Sequence, residues 1–134
     1  MRDKVKVGIT IGDINGIGPE VIIKTLDNPK ILEYCVPVIY GSAKVVAYHK
    51  NVVKRQDFSF HSIQSAQGLN YKKANVLNCW EETVNISLGK PTEDGGKCAH
   101  IALDRATRDL KDGLIDVLLT APINKQAMSM AAFN

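Results

Sequence analysis

The chain has 134 residues, 45% of them hydrophobic and 23% charged, with 17 Lys and Arg against 14 Asp and Glu for a net charge of +3. That length and balance predict one globular domain with its own core and exclude a disordered polyelectrolyte. The small basic excess is scattered, Lys54-Arg55 and Lys72-Lys73 being its densest points, so a nucleic-acid footprint, which gathers Lys and Arg on one face, is not expected.

Val5, Val7, Ile9 and Ile11 alternate with Lys6, Gly8 and Thr10, so residues 4–11 read as a strand. Pro19 suits the first position of the helix that follows, since its missing N–H would be unpaired there anyway, and Glu20 complements the positive end of the helix dipole. Val21, Ile22, Ile23 and Leu26 form its expected buried face, and Asp27-Asn28-Pro29 closes it. "CVPVIYG", 35–41, reads as the second strand, and "SAKVVAYHKN" as a helix with Ser42 as its N-cap. Residues 57–63, with Phe58 and Phe60 in alternation, and 74–80 are further candidate strands. Residues 81–92 carry no clear pattern.

From Gly95 a helical stripe runs through Cys98, Ala99, Ala102, Leu103, Ala106 and Leu110, and Gly113 stands where a C-terminal glycine cap belongs. "LIDVLLT", 114–120, reads as a buried strand, and a final helix holds Met128, Met130, Ala131, Ala132 and Phe133, with Asn134 as a candidate cap. Strand and helix alternate throughout, which predicts an α/β fold with a mostly parallel sheet flanked by helices. The abrupt end after the final helix is expected either of a docked terminal helix or of an N-terminal piece of a longer protein.

Cys35, Cys79 and Cys98 are scattered and odd in number, the pattern of reduced core thiols rather than of a disulfide framework. The N-terminus enters a strand directly, without the apolar region of a signal peptide. No apolar run approaches the ~20 residues that span a bilayer. The expectation is a cytoplasmic protein with no membrane partner.

In a parallel sheet the loops that leave the carboxyl ends of the strands share one edge, where ligands of open α/β folds collect. Two unusual segments are placed there. "GDINGIGPE", 12–20, holds Gly12, Gly16 and Gly18, which lack Cβ atoms, admit positive φ and let backbone approach a ligand. Its G-x-x-x-G-x-G spacing is neither the dinucleotide fingerprint nor a P-loop, so a structural turn and a ligand loop both stay open. Asp13, inside the loop, is the best carboxylate candidate, against the alternative of an Asx-turn residue.

"TAPINK", 120–125, puts Asn124 and Lys125 at a helix N-terminus. A cation there opposes the dipole unless an anion such as phosphate lies between them; a solvated lysine is the alternative. His100 is expected on an exposed helix face, His49 at a helix end in a dipole role, and His61 on a strand. No histidine or cysteine cluster of metal-site spacing occurs, and no metal ligand is assigned.

These two segments resemble those of the 4-hydroxythreonine-4-phosphate dehydrogenase family of vitamin B6 biosynthesis. Its members open with a strand and a G-[DE]-P-A-G-I-G-P-[DE] loop, matched by Gly12-Asp13-Ile14-Asn15-Gly16-Ile17-Gly18-Pro19-Glu20. They carry a later T-[GA]-P-x-[NH]-K segment, matched by Thr120-Ala121-Pro122-Ile123-Asn124-Lys125. Ile14-Asn15 departs from the family's Pro-Ala. The "GIGPE" element is shared with the wider isocitrate and isopropylmalate dehydrogenase fold group. Family chains are more than twice as long, and beyond the second segment they hold a G-H-T-E motif and three metal-holding histidines; His49, His61 and His100 match none of these.

The resemblance implies that 1–134 form the first α/β domain of a two-domain, homodimeric enzyme with NAD (or NADP) and a divalent metal ion as cofactors. The implied reaction is oxidation of a small phosphorylated hydroxy-amino acid, 4-phosphooxy-L-threonine, to a β-keto acid that decarboxylates. Gly12, Gly16 and Gly18 would face the cofactor, and Asp13, Asn124 and Lys125 the substrate or its phosphate. The metal ligands would lie outside this chain, which alone would be inactive. The alternatives are a dehydrogenase of a related 4-phospho-threonate or erythronate, and a non-catalytic domain that binds a phosphorylated metabolite.

Overall fold

The computed structural model of the chain describes residues 4–132. The elements run β1 (Val5–Thr10), α1 (Gly18–Leu26), α2 (Ile31–Tyr34), β2 (Cys35–Gly41), α3 (Ala43–Val52), β3 (Phe60–Ile63), a single 3-10 turn (Ala66–Gly68), β4 (Ala74–Asn78), α4 (Glu93–Lys111), β5 (Val117–Thr120) and α5 (Lys125–Ala132). The five strands make one sheet in the order β3-β4-β2-β1-β5, and every neighbouring pair is parallel. The α/β fold with a parallel sheet flanked by helices is therefore as expected.

Register decides which helix covers which face. Gly8 stands beside Val38 and Leu118, and Thr10 beside Tyr40, whereas Ile9 stands between Ile39 and Leu119. Tyr40 sends its hydroxyl to the Asp109 carboxylate of α4 across 2.7 Å, so α4 packs on the Gly8 and Tyr40 face. α1 lies on the opposite face, where Ile22 and Leu26 line a groove together with Ile9 and Leu119. Gly8 lacks a Cβ because the Ile115 side chain fills that space. The core is densest along β2, where Val36, Val38, Ile39 and Tyr40 are fully enclosed; burying each such side chain stabilises by about 1.5–3 kcal/mol.

Local chemistry sets the element ends. Ser42 caps α3 by accepting from the Lys44 amide, and Thr92 caps α4 by accepting from the Gly95 amide. Gly113 ends α4 with φ of 77°, a conformation that a side chain would strain. α5 lies on α4 at Gly96, where a Cβ would run into the Ala127 carbonyl.

Several expectations need correction. Residues 114–120 do not form a buried strand: β5 is shorter and lies at the sheet edge, with Val117 and Leu119 43% and 58% exposed. An apolar run reads the same in a central strand and an edge strand, because the difference lies in its neighbours. Val21 and Leu110 are exposed rather than buried, since each lies at the margin of its helix's apolar stripe. Phe58 precedes β3, although it is buried, and Cys79 and Trp80 follow β4. α2 was not expected, and α4 starts before Gly95 because Thr92 supplies a cap. Phe133 and Asn134, assigned above to the last helix and its cap, lie outside the described residues.

Cys35, Cys79 and Cys98 are free, and burial raises the Cys79 and Cys98 thiols to about 12, which keeps them protonated. No helix among the described residues is long and apolar enough to cross a membrane.

Candidate functional site

The β1–α1 loop and the β5–α5 loop leave the same edge of the sheet and bond to each other. The Asp13 amide donates to the Pro122 carbonyl at 3.0 Å, and the Ala121 amide donates to the Thr10 carbonyl at 3.2 Å. Gly12 makes the contact possible. It has φ of 73°, and a Cβ there would strike the Pro122 carbonyl and lie 3.0 Å from the Ala121 carbonyl. Gly16 and Gly18, by contrast, do not take positive φ. Their missing Cβ atoms accommodate the Asp13 carboxylate, at 2.9 Å, and the Ile11 carbonyl, also at 2.9 Å.

Asp13 itself turns the loop. Its Oδ1 accepts from the Asn15 amide at 3.0 Å, and its carbonyl accepts from the Gly16 amide at 3.0 Å, an Asx-type turn. α1 then begins without a side-chain cap, with Ile17 at its N-cap position. The first N–H groups of such a helix have no intrahelical partner and carry its partial positive charge. Asn124 takes the capping role for α5, its Oδ1 accepting from the Ala127 amide at 2.9 Å. Lys125 follows as the first residue of α5, exposed, and no salt bridge engages it among the described residues. The site thus has a glycine loop, an uncapped helix start and an exposed ammonium group on one edge of the sheet. That combination suits an anionic, phosphate-bearing ligand. Beside it runs an apolar groove of about 250 Å³, with Val21, Leu119 and Pro122 among its walls.

Two side chains that sequence reasoning passed over hold this loop. His49 is not at the helix surface in a dipole role; it is 2% exposed, and its Nε2 lies 2.6 Å from the Ile14 carbonyl. A carbonyl only accepts, so Nε2 carries the proton. Burial lowers the His49 pKa below the ordinary 6.5, with the Ile14 bond and the Glu20 and Asp13 charges opposing the shift. The signal was present: His49 continues the buried Val45 and Val46 stripe of α3 one turn on.

Asn15, 1% exposed, is the second. Its side chain reaches the segment 81–92, which forms neither helix nor strand and folds back over the glycine loop.

The other histidines stay apart from the site. His61 and His100 are exposed, as expected of His100. No group of three or more His, Cys, Asp or Glu side chains converges among the described residues.

Comparisons with known proteins add an independent line. Residues 33–134 match the family model described as pyridoxal phosphate biosynthetic protein PdxA. The chain is 44% identical over 133 residues to 4-hydroxythreonine-4-phosphate dehydrogenase of Bacteroides thetaiotaomicron, covering 99% of this chain and 36% of that protein. It is 28% identical to a Clostridium botulinum protein named "Putative D-threonate 4-phosphate dehydrogenase", covering 96% of this chain and 39% of the other. A crystal structure of 4-hydroxythreonine-4-phosphate dehydrogenase from Burkholderia phymatum superposes with a TM-score of 0.88 at 26% identity, covering 96% of this chain and 39% of that one. The chain therefore spans well under half the length of these relatives.

Proposed function

The chain belongs to the pyridoxal phosphate biosynthetic protein PdxA family, and from that premise we propose that it is the first domain of an NAD-dependent dehydrogenase of vitamin B6 biosynthesis. The proposed substrate is 4-phosphooxy-L-threonine. Its secondary alcohol loses a proton and a hydride, and the resulting β-keto acid loses CO₂ to give 3-amino-2-oxopropyl phosphate. NAD, when bound, supplies the hydride acceptor.

The observation that carries this reading is the contact of Asp13 with Pro122, which joins the glycine loop to the Lys125 segment on the ligand-collecting edge. In the proposal, Lys125 and the first N–H groups of α5 pair with the substrate phosphate, and Asn124 fixes the start of that helix. The backbone around Gly16 and Gly18, with the uncapped start of α1, faces the second anionic partner, the cofactor. Gly12 and Asp13 hold the loop in the shape that this requires.

The divalent ion implied by the family does not fit the described residues. No set of three donors converges there, and the Asp13 carboxylate already accepts from Asn15. Its ligands are proposed to lie in a second domain. A homodimer in which both subunits complete the site belongs to the same proposal.

The D-threonate relative supports a second substrate reading, a 4-phospho-threonate, within the same chemistry. The test is to purify the protein expressed from its native gene, measure its intact mass, and follow NAD reduction with each phosphorylated substrate in parallel. Faster turnover of 4-phosphooxy-L-threonine is expected. A preference for the threonate replaces the substrate. A native mass near 14.7 kDa, with phosphorylated ligands bound but NAD never reduced, replaces the dehydrogenase with a non-catalytic binding domain.

A further inference from the structure

We propose that Asn15 is a positioning residue whose side chain locks the 87–92 segment onto the glycine loop and so sets the loop's shape. Its Oδ1 accepts from the Ser87 amide at 2.8 Å and its Nδ2 donates to the Thr92 hydroxyl at 2.9 Å. Its carbonyl accepts from the Gly89 amide at 2.7 Å, and its own amide donates to Asp13 Oδ1 at 3.0 Å. One buried residue thereby ties three points of a segment without regular structure to the Asp13 turn. A segment without helix or sheet bonds draws its order from such ties.

The Thr92 hydroxyl also accepts from the Gly95 amide at 3.0 Å as the cap of α4. A continuous path of hydrogen bonds therefore runs from the glycine loop through Asn15 into the first turn of the long helix. Gly95 records the same arrangement independently: a Cβ there would lie 3.0 Å from Asn15 Nδ2. Ile14 and Asn15 stand where the motif quoted above has Pro-Ala. In place of a ring that fixes φ, this chain secures the loop from outside, through the Ile14 carbonyl at His49 and the Asn15 amide at residues 87–92. Asn15 is buried and its side chain is bonded to Ser87 and Thr92, so its action on a ligand is through the loop.

The effect on turnover rests on the function proposed above; the effect on order does not. The experiment compares the protein expressed from its native gene with Asn15→Ala, Asn15→Asp and, as a control for stability alone, Tyr40→Phe. The readouts are hydrogen exchange of peptides spanning 12–18 and 84–92, and kcat/KM for oxidation of 4-phosphooxy-L-threonine by NAD. Asn15→Ala is expected to speed exchange in both peptides by at least about ten-fold, the scale of one lost buried hydrogen bond, and to lower kcat/KM by a similar factor. Asn15→Asp keeps the acceptor for Ser87 but sets a buried carboxylate beside Asp13, so it is expected to restore protection only as pH falls and that carboxyl takes a proton with which to reach Thr92.

Unchanged exchange in Asn15→Ala, or an equal rise in the same peptides of Tyr40→Phe, overturns the proposal. Should Asn15→Ala not fold, Thr92→Val removes the acceptor from the far side, and unchanged exchange over 12–18 in that variant overturns it equally. Wild-type protein that fails to reduce NAD sinks the dehydrogenase reading, while the exchange data still decide the role of Asn15.

Discussion

The Asp13 amide and the Pro122 carbonyl meet at 3.0 Å, joining the first loop of the chain to its last. The bond exists because Gly12 takes a left-handed conformation with no side chain to hold the two backbones apart.

Gly12→Ala tests that junction. The new methyl meets both a disfavoured φ and the Pro122 and Ala121 carbonyls, so the variant is expected to lose about 2–4 kcal/mol of stability. Denaturant unfolding measures the loss, and a change under about 0.5 kcal/mol, the ordinary surface value, refutes the packing role.

Lys125 is the residue proposed to pair with the substrate phosphate. In the protein expressed from its native gene, Lys125→Ala is expected to raise the dissociation constant of the phosphorylated substrate several-fold, with the melting temperature unmoved because the side chain is exposed and makes no salt bridge among the described residues. The loss should shrink at high salt, which already screens an exposed charge. Isothermal titration at two salt concentrations reads both effects. Equal affinities for wild type and variant remove Lys125 from the site.

His49 makes stability depend on pH in a defined direction. Its folded pKa lies below the unfolded value of 6.5, so the folded protein holds this ring neutral while the unfolded chain takes a proton. Stability is complete above 6.5 and falls as pH drops below it, by at most about 1.4 kcal/mol per pH unit, until the folded pKa is passed. His49→Gln retains an N–H donor for the Ile14 carbonyl and cannot titrate. Chemical denaturation between pH 5 and 8 should show a shallower dependence in the variant; superimposable slopes would contradict the buried neutral ring.

Tyr40→Phe strips the hydroxyl from the Tyr40–Asp109 bond and leaves the buried Asp109 carboxylate, among the described residues, with its 3.7 Å pairing to Arg105. A loss of about 1–3 kcal/mol is expected, the cost of one buried polar group left short of a partner. Burial and Asp109 both push the Tyr40 pKa up, so wild-type Tyr40 should stay un-ionised in an alkaline titration until the fold opens. Early ionisation of all four tyrosines would show that the bond does not persist in solution.

Much of this architecture was legible in the residues. Alternation marked β1, the enclosed run 35–41 marked β2, and Ser42 and Gly113 marked helix ends, because period and capping are local properties of the chain. The two glycine- and proline-bearing loops announced themselves for the same reason, and a parallel sheet sufficed to place them on one edge. Residues 81–92 gave no signal, because they have no period of their own and are held by contacts from elsewhere, the Asn15 bonds to Ser87, Gly89 and Thr92 and the packing of Val84 and Ile86 against the core.

What the sequence determined by itself was the class of fold and the position of the two loops, since both follow from hydrophobic period and backbone permissiveness. Only the tertiary structure decided that Gly16 and Gly18 make room for protein atoms without positive φ, that 117–120 is an edge strand, and that His49 and Asn15 hold the glycine loop. The edge position of 117–120 and the two ties to the glycine loop depend on atoms that arrive from 35 or more residues away along the chain, whereas Gly16 and Gly18 make room for Asp13 and Ile11 of their own stretch. A side chain's neighbours across such a distance are set by how the elements pack, which no local pattern records.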